Sequence, residues 1–460
     1  MSTTTFSYLP LIPELLTNIE SLDYQEMTPI QAQSLPYILD GKDVLAQAKT
    51  GSGKTAAFAI GILEKFNPKN YQTQALVICP TRELADQVSK ELRRLARAIP
   101  NTNILTLCGG KPLGPQLVSL ERNPHIVVGT PGRILKHLQK GTLKLNALKI
   151  LVLDEADRML DLGFLEDITN VIEKTPQKKQ TLLFSATYPD EIRNISKSIQ
   201  NNPIDICVES LHDDKKIKQV FYEIEKGERT KTLTAILEHY RPESSLVFCN
   251  RKQQCQELAD ELWRKGFHAL ALHGDLEQKE RDQVLVQAAN KSTSILVATD
   301  VAARGLDIKD LSAVIVFEIS PDPEVHIHRI GRTGRAGNVG LALSLFMISE
   351  IRKITAIEDY QHTPATIKKP STLKSRENFN LSPPMVTLCI NGGRKEKVRA
   401  GDILGALTAN QSLPGKQIGK IDIFDHVAFV AVERPIAKQA LKILSEGKIK
   451  GRKFRARKLR

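Results

Sequence analysis

Twelve short apolar runs limit what this chain can fold into. Six lie between about Val44 and Val208: DVLAQA, ALVICP, ILTLCG, HIVVGT, ILVLDEAD and QTLLFSAT. Six more follow: QVFYEI, SSLVFCN, HALALHG, TSILVATD, AVIVFEIS and GLALSLF. Each of the first six ends in a small or polar residue and leads into a longer stretch with helical periodicity, such as TRELADQVSKELRRLARAI, and the second six alternate with stretches such as KQQCQELADELWRKG. A continuous apolar run too short for a helix reads as a strand buried on both faces, and its alternation with helices predicts βα units around a parallel sheet. The polar joint ESLHDDKK (209–216) separates the two series, so two α/β domains are expected, 1–208 and 217–366. A stretch rich in Pro, Ser and Lys, 367–384, reads as a linker.

Residues 385–460 break the pattern. MVTLCIN, a helical RAGDILGALTA, IGKIDIFD, HVAFVAVE, a helical PIAKQALKILSEG and GRKFRARKL give the order β-α-β-β-α-β. That order predicts a small α+β domain of the ferredoxin-like kind used by RNA-recognition modules. The block holds 17 of the 65 Lys+Arg and 6 of the 52 Asp+Glu, so it carries +11 of the net charge of +13. A basic block with its own apolar periodicity points to a folded domain that meets a polyanion, most often nucleic acid. Six cysteines (Cys79, Cys108, Cys207, Cys249, Cys255 and Cys389) stand without a C-x-x-C pair. Their scatter argues against a metal site or disulfide framework and predicts six buried thiols in a reducing cytosol. No apolar run reaches the roughly 18–20 residues that span a bilayer. The N-terminus MSTTTFSYLPLIPELL lacks the basic-then-apolar form of a signal peptide, so a cytoplasmic protein without membrane contact is expected.

Between DVLAQA and the apolar TAAFAIGILEKF lies AKTGSGKT (48–55). It nearly fits the phosphate-loop pattern G-x-x-x-x-G-K-[ST], with alanine at the first glycine. Strand, Gly-rich turn and helix is the context such a loop requires, because backbone N–H groups at a helix N-terminus meet phosphate oxygens. Gly51 and Gly53 let the backbone approach without a Cβ, with Thr50 and Ser52 completing the turn. Lys54 can reach the β- and γ-phosphates, and the Thr55 hydroxyl can bind Mg²⁺. Downstream, four apolar residues of ILVLDEAD lead straight to Asp154. A carboxylate at a strand end opposite the loop holds the metal, and Glu155 can orient and deprotonate the attacking water. A nucleotide and Mg²⁺ are the ligands this pair of motifs predicts.

Residues 154–157 spell D-E-A-D. Around them stand TPIQ (28–31), PTRELA (80–85), GG (109–110), TPGR (130–133), SAT (185–187), LVFCN (246–250), QKER (278–281), ATDVAARGLD (298–307) and HRIGRTGR (328–335). With these motifs in this order, about 360 residues of the chain resemble the DEAD-box RNA helicases. In that family the phosphate loop opens with alanine, which accounts for Ala48. The resemblance implies two tandem RecA-like domains and RNA-dependent ATP hydrolysis. It assigns adenine to Gln31, with Phe6 stacked on the base. The family usually has Gly-Phe where this chain has Asp23-Tyr24, a departure that bears on packing there. Arg332 and Arg335 would be arginine fingers, meeting γ-phosphate charge with paired hydrogen bonds from the second domain once the domains close. Asp307 would serve the ribose and closure. Ser185, Thr187 and His328 would couple the ATP site to RNA.

PTREL, GG, TPGR and VATD each follow a predicted strand, at the carboxyl edge where α/β ligands bind. Arg82, Gly110, Thr130, Arg133 and Thr299 would therefore touch phosphates and 2′-hydroxyls of one RNA strand without reading bases. The block 385–460 is similar to the C-terminal domain of the bacterial DbpA family, DEAD-box proteins directed to a hairpin of large-subunit ribosomal RNA during ribosome assembly. That likeness implies a monomer working on the pre-ribosomal large subunit, anchored at an rRNA hairpin beside the helix it opens. Two other readings stay open: a general DEAD-box helicase of mRNA turnover or cold adaptation, and an ATP-gated RNA clamp. HVAFVAVE offers one aromatic, Phe429, where RNA-recognition modules usually present two. Base stacking on the sheet is therefore not expected, and Arg394, Lys395, Lys397, Arg452, Lys453 and Arg455 are the candidate hairpin anchors.

Overall fold

A computed structural model describes residues 5–48, 51–188, 190–208, 217–303, 311–334, 339–374, 381–409 and 413–460. The chain divides into two compact units, Met1–Leu211 and His212–Arg460.

In the first unit, strands β1 (Val44–Gln47), β2 (Ala75–Ile78), β3 (Ile104–Leu107), β4 (Ile126–Gly129), β5 (Ile150–Asp154), β6 (Gln180–Ser185) and β7 (Ile204–Cys207) form a parallel sheet in the order β3-β4-β2-β5-β6-β1-β7. Successive side chains leave a strand on opposite faces. Ala75 and Val77 accordingly join one core with Ala46, Val128 and Val152, while Leu76 and Ile78 join another with Leu45, Val127 and Leu151. Burial on both faces is why these strands read as unbroken apolar runs. The segment IDIC was not singled out from sequence. It forms the edge strand β7, where Ile206 alone is buried. The same edge position corrects the expectation of six buried thiols: Cys207 is exposed and the other five are buried.

The second unit repeats the plan. Strands β8 (Ile217–Glu223), β9 (Ser245–Phe248), β10 (Ala269–Leu272), β11 (Ile295–Ala298), β12 (Ala313–Val316), β13 (Gly340–Phe346) and β14 (Ile367–Lys368) give a parallel sheet in the order β10-β11-β9-β12-β13-β8-β14. Two cores again lie on its two faces. The stretch read as a linker begins by completing this sheet, since Ile367 pairs with Phe221, and Leu373 and Leu381 pack on one of the cores.

Strands β15 (Met385–Ile390), β16 (Ile418–Ile423), β17 (Ala428–Glu433) and β18 (Ala456–Lys458) form an antiparallel sheet in the order β16-β17-β15-β18. One face, with Val386, Leu388, Ile390, Val430 and Val432, packs on helices Ala400–Thr408 and Ala437–Glu446. This is the expected ferredoxin-like module. Among the described residues no helix is long and apolar enough to cross a membrane.

His326, on helix Pro323–Ile330, is 1% exposed and stacks 5.6 Å from the Phe221 ring, and neither ring nitrogen has a hydrogen-bond partner. Burial first, then the Arg329 charge, push its pKa from 6.5 down to about 3. The unfolded chain binds a proton below 6.5 that the folded chain excludes. The stability held above that pH is therefore lost progressively as pH falls toward 3. Denaturation midpoints of the second unit should fall between about pH 7.5 and about pH 5.5, and His326→Phe, which keeps the ring stack, should flatten that fall. Equal slopes for both chains would refute the assignment to His326.

Candidate nucleotide and RNA sites

Parallel register sets Gln47 beside Ser185 and Asp154 beside Phe184, so the segments after β1, β5 and β6 emerge together at one carboxyl edge. Ala48 N donates to Ser185 O at 3.0 Å, holding the start of the Gly-rich loop to that edge. Gly53 sits at φ 97°, and a Cβ there would lie 2.6 Å from Gln31 Nε2 and 2.8 Å from Thr28 Oγ1. Both the left-handed backbone and the close approach require glycine. Gln31 Nε2 donates to Gly53 O at 3.1 Å while its Oε1 accepts from Thr28 N at 2.9 Å. The amide expected at adenine thus ties helix Pro29–Leu39 to the loop. Lys54 opens helix Lys54–Lys65, is 5% exposed and donates to Ala48 O at 2.6 Å. Ser52 Oγ is buried without a partner. A buried ammonium resting on a carbonyl, an orphaned hydroxyl and a glycine cradle together fit a phosphate group.

Asp154 is 2% exposed at the end of β5. Burial pushes its carboxyl up to about 7 against the opposing pull of Lys54. A carboxylate so poorly solvated fits a divalent cation shared with the half-buried Thr55. Glu155 follows at φ 54°, a left-handed conformation uncommon outside glycine, and pairs with Arg158 at 2.6 Å. Ser185 and Thr187 are brought to this same strand end by Asp157. Its Oδ2 accepts from Ala186 N (3.2 Å), Thr187 N (3.1 Å) and Thr187 Oγ1 (3.2 Å), and its N–H donates to Ser185 Oγ (3.2 Å). Sequence reading passed over Asp157, although it is the last letter of the D-E-A-D run.

Phe6 is 3% exposed, within the core, 6.0 Å from the Tyr24 ring. Asp23 takes φ 65°, a conformation glycine adopts more readily. The Tyr24 hydroxyl donates to Glu91 Oε1 at 2.7 Å and accepts from Arg94 Nη2 at 2.5 Å. The Asp23-Tyr24 departure thus anchors the N-terminal segment to helix Arg82–Leu95, which begins in PTREL.

The other motifs of the first unit meet at the same sheet edge. Cys79 N donates to Gly129 O (2.9 Å) and Thr130 N to Leu107 O (3.1 Å), which aligns the ends of β2, β3 and β4. Gly110 lies at φ 73°, and a Cβ there would collide with the Arg82 guanidinium. Arg133 Nη1 donates to Lys111 O (3.0 Å) and Gln116 Oε1 (2.7 Å). Arg82, Gly110, Thr130 and Arg133 are therefore neighbours through the turns that carry them.

In the second unit, Arg332 is 6% exposed, His328 is exposed and Thr299 is half-buried just after β11. Thr50, Asp307 and Arg335 lie outside the described residues. Arg329, which the motif reading left unassigned, is 2% exposed. It pairs with both Asp300 oxygens (2.8 and 2.7 Å) and donates to Asn250 Oδ1 (2.8 Å) and Glu318 O (2.6 Å). One guanidinium thereby joins the segments that follow β9, β11 and β12.

The antiparallel module keeps its basic loops together. Arg394 N donates to Phe424 O (2.9 Å), Lys395 N to Asp425 O (3.0 Å) and Asn391 N to Arg455 O (2.9 Å). A Cβ on Gly392 would strike the Phe454 ring. Arg394, Lys395, Lys397, Arg452, Lys453 and Arg455 are all exposed. The second face of the sheet is covered: Cys389, Phe429 and Leu459 pack on Val286 of helix Gln278–Ala289. Thr387 Oγ1 meets Ser292 Oγ at 2.6 Å, and Arg460 pairs with Asp260 at 3.1 Å while its Cζ lies 4.6 Å from the Trp263 ring centre. Phe429 is 1% exposed, so its ring is spent on packing.

Residues 28–195 match the family model for DEAD/DEAH box helicases, residues 225–337 that for the helicase conserved C-terminal domain, and residues 387–458 that for the DbpA RNA binding domain. The chain is 53% identical over 458 residues to the ATP-dependent RNA helicase DbpA of Escherichia coli (strain K12), spanning 99% of this chain and 100% of that one. It is 45% identical over 371 residues to the DEAD-box ATP-dependent RNA helicase CshA of Geobacillus kaustophilus (strain HTA426), spanning 80% and 79%. Among solved structures, S. cerevisiae Dbp5 bound to RNA and ADP BeF3 is similar with a TM-score of 0.74 and 30% identity over 80% of this chain and 96% of that one.

Trp263 is the single tryptophan of the chain, so its fluorescence reports the contact between the module and the second sheet domain. Arg460→Ala, and more strongly Val286→Asp, should shift its emission to longer wavelength and raise its quenching by acrylamide. Unchanged emission in both variants would show that the seam does not form in solution.

Proposed function

The chain belongs to the DEAD-box ATP-dependent RNA helicases, in the DbpA family, and from that premise we propose that it remodels large-subunit ribosomal RNA during ribosome assembly. In this reading residues 385–460 grip an rRNA hairpin and the helicase domains open an adjacent helix. The observation that carries it is the convergence of two basic segments, 394–397 and 452–455, on a module whose sheet face is already occupied. A surface of exposed Lys and Arg beside a sheet whose Phe429 is buried suits the closely spaced phosphates of a folded hairpin better than splayed single-stranded bases. The work would be done by a monomer in the cytoplasm, on the pre-ribosomal large subunit.

Each residue of the ATP site has a task set by its chemistry. Gly51, Ser52 and Gly53 would cradle the phosphates through backbone N–H groups, and Lys54 would leave Ala48 O to reach the β- and γ-phosphates. Thr55 and Asp154 would hold Mg²⁺, which supplies charge neutralisation on the phosphates. Glu155 would accept the proton of the attacking water, with its backbone already set at the strand end. Arg332 and Arg335 would meet the charge that builds on the γ-phosphate. Gln31, Phe6, Thr50 and Asp307 are the proposed contacts to the rest of the nucleotide. Ser185 and Thr187, through Asp157, and His328 would relay nucleotide state to RNA held by Arg82, Gly110, Thr130, Arg133 and Thr299.

Two measurements test this. Glu155→Gln should lower kcat for RNA-stimulated ATP hydrolysis by roughly 10²–10⁴-fold while ATP-analogue and RNA binding persist. An unchanged kcat would remove Glu155 as the base. A large-subunit rRNA hairpin fragment should stimulate the ATPase at far lower concentration than poly(U), and Arg394→Glu with Lys453→Glu should abolish that preference. Equal potency of the two RNAs would leave a general RNA helicase.

A further inference from the structure

We propose that Gln116, which lies outside every motif, is the positioning residue that holds the RNA-gripping turns of the first unit in register. The inference rests on the reading of Arg82, Gly110 and Arg133 as RNA contacts. Gln116 sits on helix Leu113–Leu120, after the GG turn and before TPGR, and is 6% exposed. Its Nε2 donates to Cys108 O at 3.1 Å, the residue before Gly109. Its Oε1 accepts from Arg133 Nη1 at 2.7 Å and lies 3.0 Å from His137 Nε2. Arg133 Nη1 also donates to Lys111 O at 3.0 Å, the residue after Gly110. The carbonyls on both sides of the two glycines are thus held by one amide and one guanidinium. The Arg82 guanidinium lies over the same glycines, 3.4 Å from a Cβ built on Gly109.

The side chain has to be an amide. It donates to one carbonyl and accepts from a cation and an imidazole at once, without adding a charge. A leucine there would strand the buried Cys108 carbonyl and His137 Nε2 and leave the half-buried Arg133 one partner fewer, and a glutamate would face the Cys108 carbonyl with an acceptor. His137 completes the bracket. Burial, then the charges of Arg133, Lys140 and Lys136, lower its pKa, which favours the neutral ring. Its Nε2–H then donates to Gln116, with Nδ1 2.9 Å from Thr142 Oγ1. For Arg133 the consequence is direct. Both hydrogens of Nη1 are used inside the protein, so the guanidinium is held in place, and the donors on Nε and Nη2 remain for a phosphate oxygen. A cation fixed in this way loses little rotamer freedom when it binds.

The test uses the full chain and three numbers: the poly(U) concentration for half-maximal ATPase, kcat at saturating RNA, and ATP-analogue affinity without RNA. Gln116→Leu should raise the first roughly three- to tenfold, leaving kcat and analogue affinity within about twofold. Gln116→Glu, which keeps an acceptor for Arg133, should show a smaller rise; it decides the matter should the leucine variant fail to fold, and no rise would then overturn the proposal. In an Arg133→Ala background, Gln116→Leu should add nothing further. If Arg133→Ala alone leaves the RNA requirement unchanged, the RNA reading of this surface is wrong. If Arg133→Ala raises it and Gln116→Leu does not, that reading stands and the role given to Gln116 is wrong. A parallel loss of analogue affinity in Gln116→Leu would mark a merely structural residue and overturn it too.

Discussion

A parallel sheet sends every strand in one direction, so all of its carboxyl ends share an edge. That constraint organises both α/β domains. Asp154 and Ser185 need no neighbours in sequence to become neighbours in space, because β5, β6 and β1 pair in register. The ends of β2, β3 and β4 do the same for PTREL, GG and TPGR. The chain separates these motifs by long helical excursions, and the sheet gathers them.

Register alone would leave polar loops at that edge free to wander. In each domain a buried charged group spans them. Asp157 holds SAT through three donors on one carboxylate oxygen. Arg329 holds Asn250, Asp300 and the Glu318 carbonyl around one guanidinium. Such groups are costly to bury unless every lone pair or proton finds a partner. The cost gives the arrangement its specificity: moving one loop would leave a buried charge unpaired. Gln116 does similar work with a neutral amide, which can serve a carbonyl and a cation together.

The C-terminal module resolves a competition for its sheet. The face bearing Thr387, Cys389, Phe429 and Leu459 is the one an isolated module of this kind would offer to RNA. Here it covers Val286 and bonds to Ser292. With apolar surface buried there, the module's exposed basic side chains include Arg394, Lys395, Lys397, Arg452, Lys453 and Arg455, on loops held together by backbone bonds and by the fit of Gly392 to Phe454. The module and the second sheet domain thus form one compact unit, and the segment between them supplies strand β14.

Much of this was legible in the sequence because it depends on local chemistry. Apolar runs announced twelve of the fourteen parallel strands named above, and β7 and β14 escaped because they bury so little, Ile206 alone in β7 and neither residue of β14. Glycines that must adopt positive φ marked the phosphate loop, and a carboxylate closing an apolar strand marked Asp154. The roles of Arg329, Asp157 and Gln116 were not legible. Each acts by satisfying groups on segments remote in sequence, and a lone Arg, Asp or Gln carries no sign of its partners. The same holds for the module: sequence determined its strands, helices and charge, but which sheet face it buries depends on Val286, Trp263 and Asp260, residues of another domain. Periodicity and motif spacing are properties of one stretch of chain, whereas register, buried pairing and surface coverage exist only between stretches, once they are folded together.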